Sequence, residues 1–315
     1  MKKVVVTGGA GFIGSYLVEA LLARNYNVTI LDNLSSGSLR NIEGVLGNPN
    51  LEIIKGDIRD KNAVSKALVN CDVVFHFAAN PEVRLGIPTE HFENNILGTF
   101  TILEQMRKKD VGEIVFASSS TVYGDAKILP TPENYAPLKP ISVYGASKLA
   151  CEALISSYVH TYGFKSIVLR YANVVGPRSH RGVVYDFILK LKSNPRKLEI
   201  LGDGTQTKSY IWIEDAIDAT ITAWQKTSGG FEAYNVGSED AISVVEIADI
   251  VVSVLGLEDV KYAFTGGIEG RGWPGDVKCM HLDVSKLESL GWKPRYNSRE
   301  AVRLAAKHLK STLNS

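Results

Sequence analysis

The tightest constraint on this chain lies near its start. Val4-Val5-Val6-Thr7 is a β-branched run that feeds directly into Gly8-Gly9-Ala10-Gly11-Phe12-Ile13-Gly14, and apolar residues at helical spacing follow from Tyr16 to Leu22. The pattern predicts strand, tight glycine turn and helix. Glycines let the backbone bend sharply and let an anion reach the helix N-terminus, where free N–H groups and the helix dipole favour negative charge. A second strand, Val28 to Leu31, ends in Asp32, 18 residues beyond Gly14. That is where a dinucleotide fold sets the carboxylate that receives the adenosine ribose hydroxyls. A carboxylate there repels a 2′-phosphate, which favours NAD over NADP.

Further apolar runs end in small or polar residues: Leu51 to Ile54 before Gly56-Asp57-Ile58, Asp72 to Phe77 before Ala78-Ala79, and Glu113 to Ala117 before Ser118-Ser119-Ser120-Thr121. Such endings suit strand C-termini that face a ligand crevice. Asn94 to Thr99 is expected to open a long helix. Strands alternating with helices predict an α/β fold with a doubly wound parallel sheet.

With 35 basic against 34 acidic residues, nothing in the balance points to nucleic acid or a membrane surface, so a small-molecule partner is expected. No apolar run approaches bilayer length, and the run after Lys3 breaks into glycines before it can form a signal-peptide core. Cys71, Cys151 and Cys279 are odd in number and far apart, which fits neither a disulfide frame nor a zinc site. A reducing, cytoplasmic setting without a metal follows as an expectation.

Tyr144 and Lys148 stand four residues apart on a predicted helix running to Tyr162, so both project from one face. An ammonium fixed beside a phenol stabilises the phenolate and lowers its pKa, the condition for acid/base work near neutrality. The hydroxyls that close the fifth strand are expected to point into the same crevice, where Ser119 could bond the oxygen that Tyr144 deprotonates.

Taken together, Thr7 to Gly14, Asp57-Ile58, His76 to Ala79, Asn95 with Gly98-Thr99, Ser118 to Gly124, Tyr144 to Lys148 and Arg170-Tyr171-Ala172-Asn173 resemble the extended short-chain dehydrogenase/reductases. Within them the chain is most similar to the nucleotide-sugar 4-epimerases that act on UDP-glucose and UDP-galactose. The resemblance implies that Tyr144 is the base, Ser119 its hydroxyl partner and Lys148 the group that holds the nicotinamide ribose. It implies NAD contacts from Gly8, Gly11, Phe12, Ile13, Gly14, Asp32, Asn33, Asp57, Ile58, Phe77, Ala78, Ala79, Asn95, Ser118 and Tyr171, besides Tyr144 and Lys148. The nucleotide sugar would meet Ser119, Ser120, Tyr144, Asn173, Val183, Val184 and Tyr185, with Lys208 and Arg271 facing its diphosphate. A homodimer packed through the helices containing Asn95 to Lys108 and Tyr144 to Tyr162 is implied as well.

After Arg170 the composition shifts to prolines, basic residues and short elements. Residues 1–170 and 212–238 are therefore expected to form the NAD-binding part, and 171–211 and 239–315 a smaller C-terminal substrate-binding lobe. A helix from Trp212 to Trp224 and a strand at Tyr234 to Gly237 would return to the former, and Ser243 with Glu246 reads as a capping box. Sibling dehydratases carry an Asp-Glu pair after the catalytic Ser/Thr, and decarboxylases a Glu, where this chain has Ser120 and Thr121. Neutral hydroxyls cannot do that proton work, which favours C4 epimerisation through a transient 4-keto sugar. Three departures leave the sugar open. Lys208 replaces an arginine, Pro81 a lysine, and flexible Met280 falls where side-chain size gates N-acetylated sugars. An epimerase of another nucleotide sugar, a dehydratase, a reductase or a non-catalytic NAD sensor are the alternatives.

Overall fold

The structure is a computed structural model, and it describes residues 2–84 and 86–314. Strands β1 (Lys3–Thr7), β2 (Asn27–Asp32), β3 (Leu51–Lys55), β4 (Val73–His76), β5 (Glu113–Ser119), β6 (Lys165–Tyr171) and β11 (Phe231–Val236) form one seven-stranded sheet in the order β11-β6-β5-β4-β1-β2-β3. The pairs from β3 through β2, β1 and β4 to β5 run parallel. Val4, Val5 and Val6 of β1 and Val73, Val74 and Phe75 of β4 are all buried, as expected of strands covered on both faces. Helices α1 (Phe12–Leu22), α2 (Lys61–Ala67), α3 (Gly98–Lys108) and α4 (Val143–Tyr162) join them.

The strand order reverses between β1 and β4, because β2 and β3 extend to one side of β1 and the chain then crosses to the other. Doubly wound sheets bind ligands at such a switch point, outside the strand C-termini. Here that place lies between the glycine turn after β1 and Phe77 to Ala79 after β4.

The helix expected to open at Asn94 begins earlier, at Pro88, whose fixed φ suits a first helical position. It then widens into a π turn over His91–Leu97 before continuing as α3. The wide turn carries Asn95, which is buried. Trp212 ends strand β10 (Tyr210–Trp212) instead of starting a helix, and α6 runs over Ile213–Lys226.

The chain divides into two compact units: Met1–Val122, Val143–Arg170 and Thr220–Tyr234, and then Tyr123–Ser142, Tyr171–Ala219 and Asn235–Ser315. The division differs from the sequence expectation chiefly in residues 123–142, which belong to the second unit. Their anchor is the buried Asn235, whose Oδ1 accepts from the Tyr123 hydroxyl at 2.7 Å and whose Nδ2 donates to Thr131 O at 2.9 Å. Those partners are more than a hundred residues apart along the chain, so local composition carries no trace of them.

The second unit contains the parallel pair of β7 (Asn173–Val175) and β10 (Tyr210–Trp212), and the parallel pair of β8 (Lys197–Ile200) and β13 (Lys261–Phe264). A small sheet joins β12 (Ile242–Ser243), β9 (Thr207–Lys208) and β14 (Cys279–Met280). Helices α5 (Val183–Ser193), α7 (Val244–Leu255) and α8 (Ser298–Asn314) pack on one another. The capping box stands as expected: Ser243 Oγ accepts from Glu246 N, and the Glu246 carboxylate receives Ser243 N at 2.8 Å. Among the described residues no helix is long and apolar enough to cross a membrane.

Candidate active site

The glycine turn is shaped by backbone contacts that leave no room for side chains. Gly8 sits at φ +71°, and a Cβ on it would lie 2.7 Å from Ala78 N, while one on Gly14 would lie 2.1 Å from Gly8 O. Gly11 N donates to Gly8 O at 3.0 Å and caps α1, so the amides of Phe12 and Ile13 are first-turn donors beyond the reach of any intrahelical carbonyl. Such a cradle, with its side-chain volume withheld at Gly8 and Gly14, fits a pyrophosphate.

Asp32 braces the same turn, with Oδ2 accepting from Ala10 N at 3.0 Å and Oδ1 from Leu34 N at 2.8 Å. Two oxygens offer about four acceptor sites, so the carboxylate keeps capacity for ribose hydroxyls. Asn33 Nδ2 donates to Asp57 Oδ2 at 3.1 Å. Asp57 is gripped by the Arg59 fork at 2.9 and 2.8 Å, and that guanidinium holds its carboxyl down to about 2. Asp57 therefore works through its side chain as a brace for Asn33, while Ile58 is buried beside it.

A buried chain of hydrogen bonds ties this turn to Asn95. Thr99 Oγ1 donates to Asn95 O at 2.6 Å, so His76 Nε2, 2.9 Å away, is the donor to Thr99. His76 Nδ1 then accepts from Thr7 Oγ1 at 2.7 Å, and Ala78 N donates to that same oxygen at 3.2 Å. Burial pushes the imidazole down to about 3, which keeps it neutral as this arrangement requires. Asn95 Nδ2 donates to Ser147 Oγ at 2.8 Å, and its Oδ1 receives Asn80 N at 2.7 Å. The residues after Ala79 are thereby fastened to α4, three residues past Tyr144.

Tyr144, Lys148 and Ser119 come together in this unit, but the electrostatics differ from the sequence expectation. Lys148 Nζ donates to Ala117 O at 2.7 Å and lies 4.8 Å from the centre of the Phe116 ring and 5.9 Å from that of Tyr144. Burial pushes the Tyr144 hydroxyl up to about 12, against the opposing effect of its hydrogen bond with Ser119, and pushes the Lys148 ammonium down to about 8. The phenol is thus raised, not lowered, because desolvation outweighs its hydrogen bond with Ser119.

Ser118, expected at the cofactor, is buried and turned the other way: its hydroxyl donates to Glu152 Oε1 at 2.5 Å. Glu152 in turn takes the Arg170 guanidinium at 2.7 Å. Glu152 stands one helical turn past Lys148, a spacing that could have flagged it in the sequence. Ser120 is buried, and Thr121 contacts Ser119.

In the second unit Tyr171 is buried and Asn173 Nδ2 donates to Ser209 O at 3.1 Å, so Asn173 holds β7 to β10. At the start of α5, Val183 and Tyr185 stay partly exposed while Val184 turns into the core. Lys208 Nζ meets the buried Asp276 at 2.5 Å and lies 5.3 Å from the Trp273 ring centre. Arg271 forks onto Asp125 at 3.0 and 2.9 Å and donates to Asp276 O at 2.6 Å. Both cations expected at a diphosphate therefore come with carboxylate partners. Asp276 was within reach of sequence reasoning, five residues beyond Arg271, whereas Asp125 has no local signal.

The sequence pattern of the NAD dependent epimerase/dehydratase family matches residues 4–237. A Methanocaldococcus jannaschii protein provisionally assigned as a UDP-glucose 4-epimerase is 39% identical over 98% of both chains. A crystal structure of a UDP-galactose 4-epimerase is 47% identical, covers 99% of both chains and superposes with a TM-score of 0.88. A UDP-N-acetylglucosamine 4-epimerase from Methanobrevibacter ruminantium, solved with UDP-N-acetylmuramic acid, is 33% identical over 99% of both chains with a TM-score of 0.86.

Proposed function

The chain belongs to the NAD dependent epimerase/dehydratase family, and on that premise we propose that it interconverts the C4 epimers of a UDP-hexose, UDP-glucose and UDP-galactose. The cofactor is NAD, and Gly8, Gly11, Gly14, the amides of Phe12 and Ile13, and Asp32 are the residues that would hold it. When bound, NAD supplies the site that takes a hydride from sugar C4 and gives it back.

The chain's own groups account for the proton. Tyr144 Oη takes the proton of the sugar 4-hydroxyl and later returns it, Ser119 hydrogen-bonds the phenol oxygen that does so, and Lys148 supplies the nearby positive charge. Lys208 and Arg271 stand as the cations for the diphosphate, Lys208 as a point charge. The observation that carries the choice of epimerisation over elimination is the pair after Ser119. Ser120 and Thr121 are neutral, and Thr121 spends its hydroxyl on Ser119, so no carboxylate stands there to remove and deliver the elements of water.

The test is a panel of UDP-glucose, UDP-galactose, their N-acetylamino counterparts and UDP-uronic acids, with TDP- and GDP-sugars as controls. Formation of the 4-epimer from UDP-glucose or UDP-galactose without net NADH is expected. Turnover confined to N-acetylated or uronic sugars would move the substrate assignment, and a 4-keto-6-deoxy product would replace epimerisation by dehydration. Met280, buried and paired in register with Lys208, is the residue to vary if N-acetylated sugars are accepted.

A homodimer belongs to the same proposal. Phe92, Leu97 and Phe100 stay exposed along one helical run at 58%, 40% and 43%, a larger apolar display than a lone helix face needs. Sedimentation of a dimer is expected, and a monomer at assay concentration would remove this part.

A further inference from the structure

Ser119 has a hydrogen-bonding arrangement that its neighbour imposes. Its Oγ accepts twice from Thr121, from the backbone N at 3.2 Å and from the side-chain Oγ1 at 2.9 Å. A serine hydroxyl offers two lone pairs and one proton. With both lone pairs engaged by Thr121, Ser119 has only its proton left, and the Tyr144 hydroxyl is its partner.

We propose that Thr121 is a positioning residue that makes Ser119 an obligate donor to Tyr144, so that the phenol oxygen is held as an acceptor and its ionised form is favoured. The inference rests on the assignment of Tyr144 as the group that takes the substrate proton. Without the Thr121 hydroxyl, Ser119 recovers a lone pair. It can then accept the Tyr144 proton, a bond that stabilises the neutral phenol and raises its pKa. Thr121 thus does more than fill a place without an acid: it sets the direction of the bond on which the base depends.

The ionisable groups facing the phenol are few. Lys148 and Cys151 lie on its own helix, Cys151 raising the phenol's pKa. His91, on the π turn, meets its ring edge-on at 6.0 Å, and burial pushes its imidazole below the ordinary histidine value. Strand β5 brings the hydroxyls of Ser118 and Ser119 to this end, and Glu152 faces Ser118 and Arg170.

Thr121→Val keeps the backbone donor and the side-chain shape and deletes the hydroxyl. The acid limb of kcat/KM for the active UDP-sugar should move up by about one pH unit, a tenfold loss on that limb, with NAD content unchanged. Thr121→Ser should restore the wild-type limb. In the Ser119→Ala background Thr121→Val should produce no further displacement, because the effect passes through Ser119; Thr121→Ala serves the same cycle if the valine variant is recovered poorly. An acid limb in Thr121→Val that coincides with wild type, whether or not kcat falls, overturns the proposal, as does a displacement that persists without Ser119. Full activity in Tyr144→Phe would instead sink the assignment underneath, a result distinguishable from either.

Discussion

Tyr144→Phe is expected to fold and keep its NAD while turnover falls by about 10²–10⁴-fold, the usual worth of a positioned acid/base group. The substitution removes one oxygen and leaves the ring, whose edge-on packing against His91 at 6.0 Å and position 5.9 Å from Lys148 Nζ do not need the hydroxyl. Asn95, Ser147 and the Tyr144 backbone carbonyl also stay linked, since Ser147 Oγ donates to Tyr144 O at 2.7 Å. The loss should therefore appear in kcat and not as a fall in bound cofactor or thermal stability. Measuring epimer formation alongside NAD content per protomer checks this, and wild-type turnover in the variant would strip Tyr144 of its role.

The second large effect is on stability. Glu152→Gln should destabilise the protein by about 3–5 kcal/mol, the cost of leaving one member of a buried ion pair unpaired. Arg170 and Glu152 side chains are only 6% and 4% exposed, and neither can turn to water when the other is neutralised. For a unit of this size the melting temperature should fall by roughly 6–20 °C. Glu152→Leu combined with Arg170→Met should recover much of the loss, because an apolar pair of similar volume carries no desolvation debt. A Glu152→Gln variant that melts with wild type would show that the pair contributes nothing net. The same carboxylate raises the Lys148 ammonium against the effect of burial, so the variant should also hold its Lys148 charge over a narrower pH range.

The sheet, the glycine turn with Asp32 and the set of groups gathered near Tyr144 are legible in the chain's local pattern. Each is written in local periodicity: β-branched runs buried on both faces, glycines where a Cβ would strike a carbonyl 2.1 Å away, and a four-residue spacing that puts Tyr144 and Lys148 on one helix face. What those groups do to one another came from packing between distant segments. That packing turned Ser118 away to Glu152, committed Lys148 to the Ala117 carbonyl, gave Lys208 and Arg271 carboxylate partners and attached residues 123–142 to Asn235. It also raised the phenol that spacing alone would lower. The physical reason is common to all of these. Hydrogen-bond direction and desolvation depend on which atoms crowd a group from distant parts of the chain, and no local pattern records that crowd.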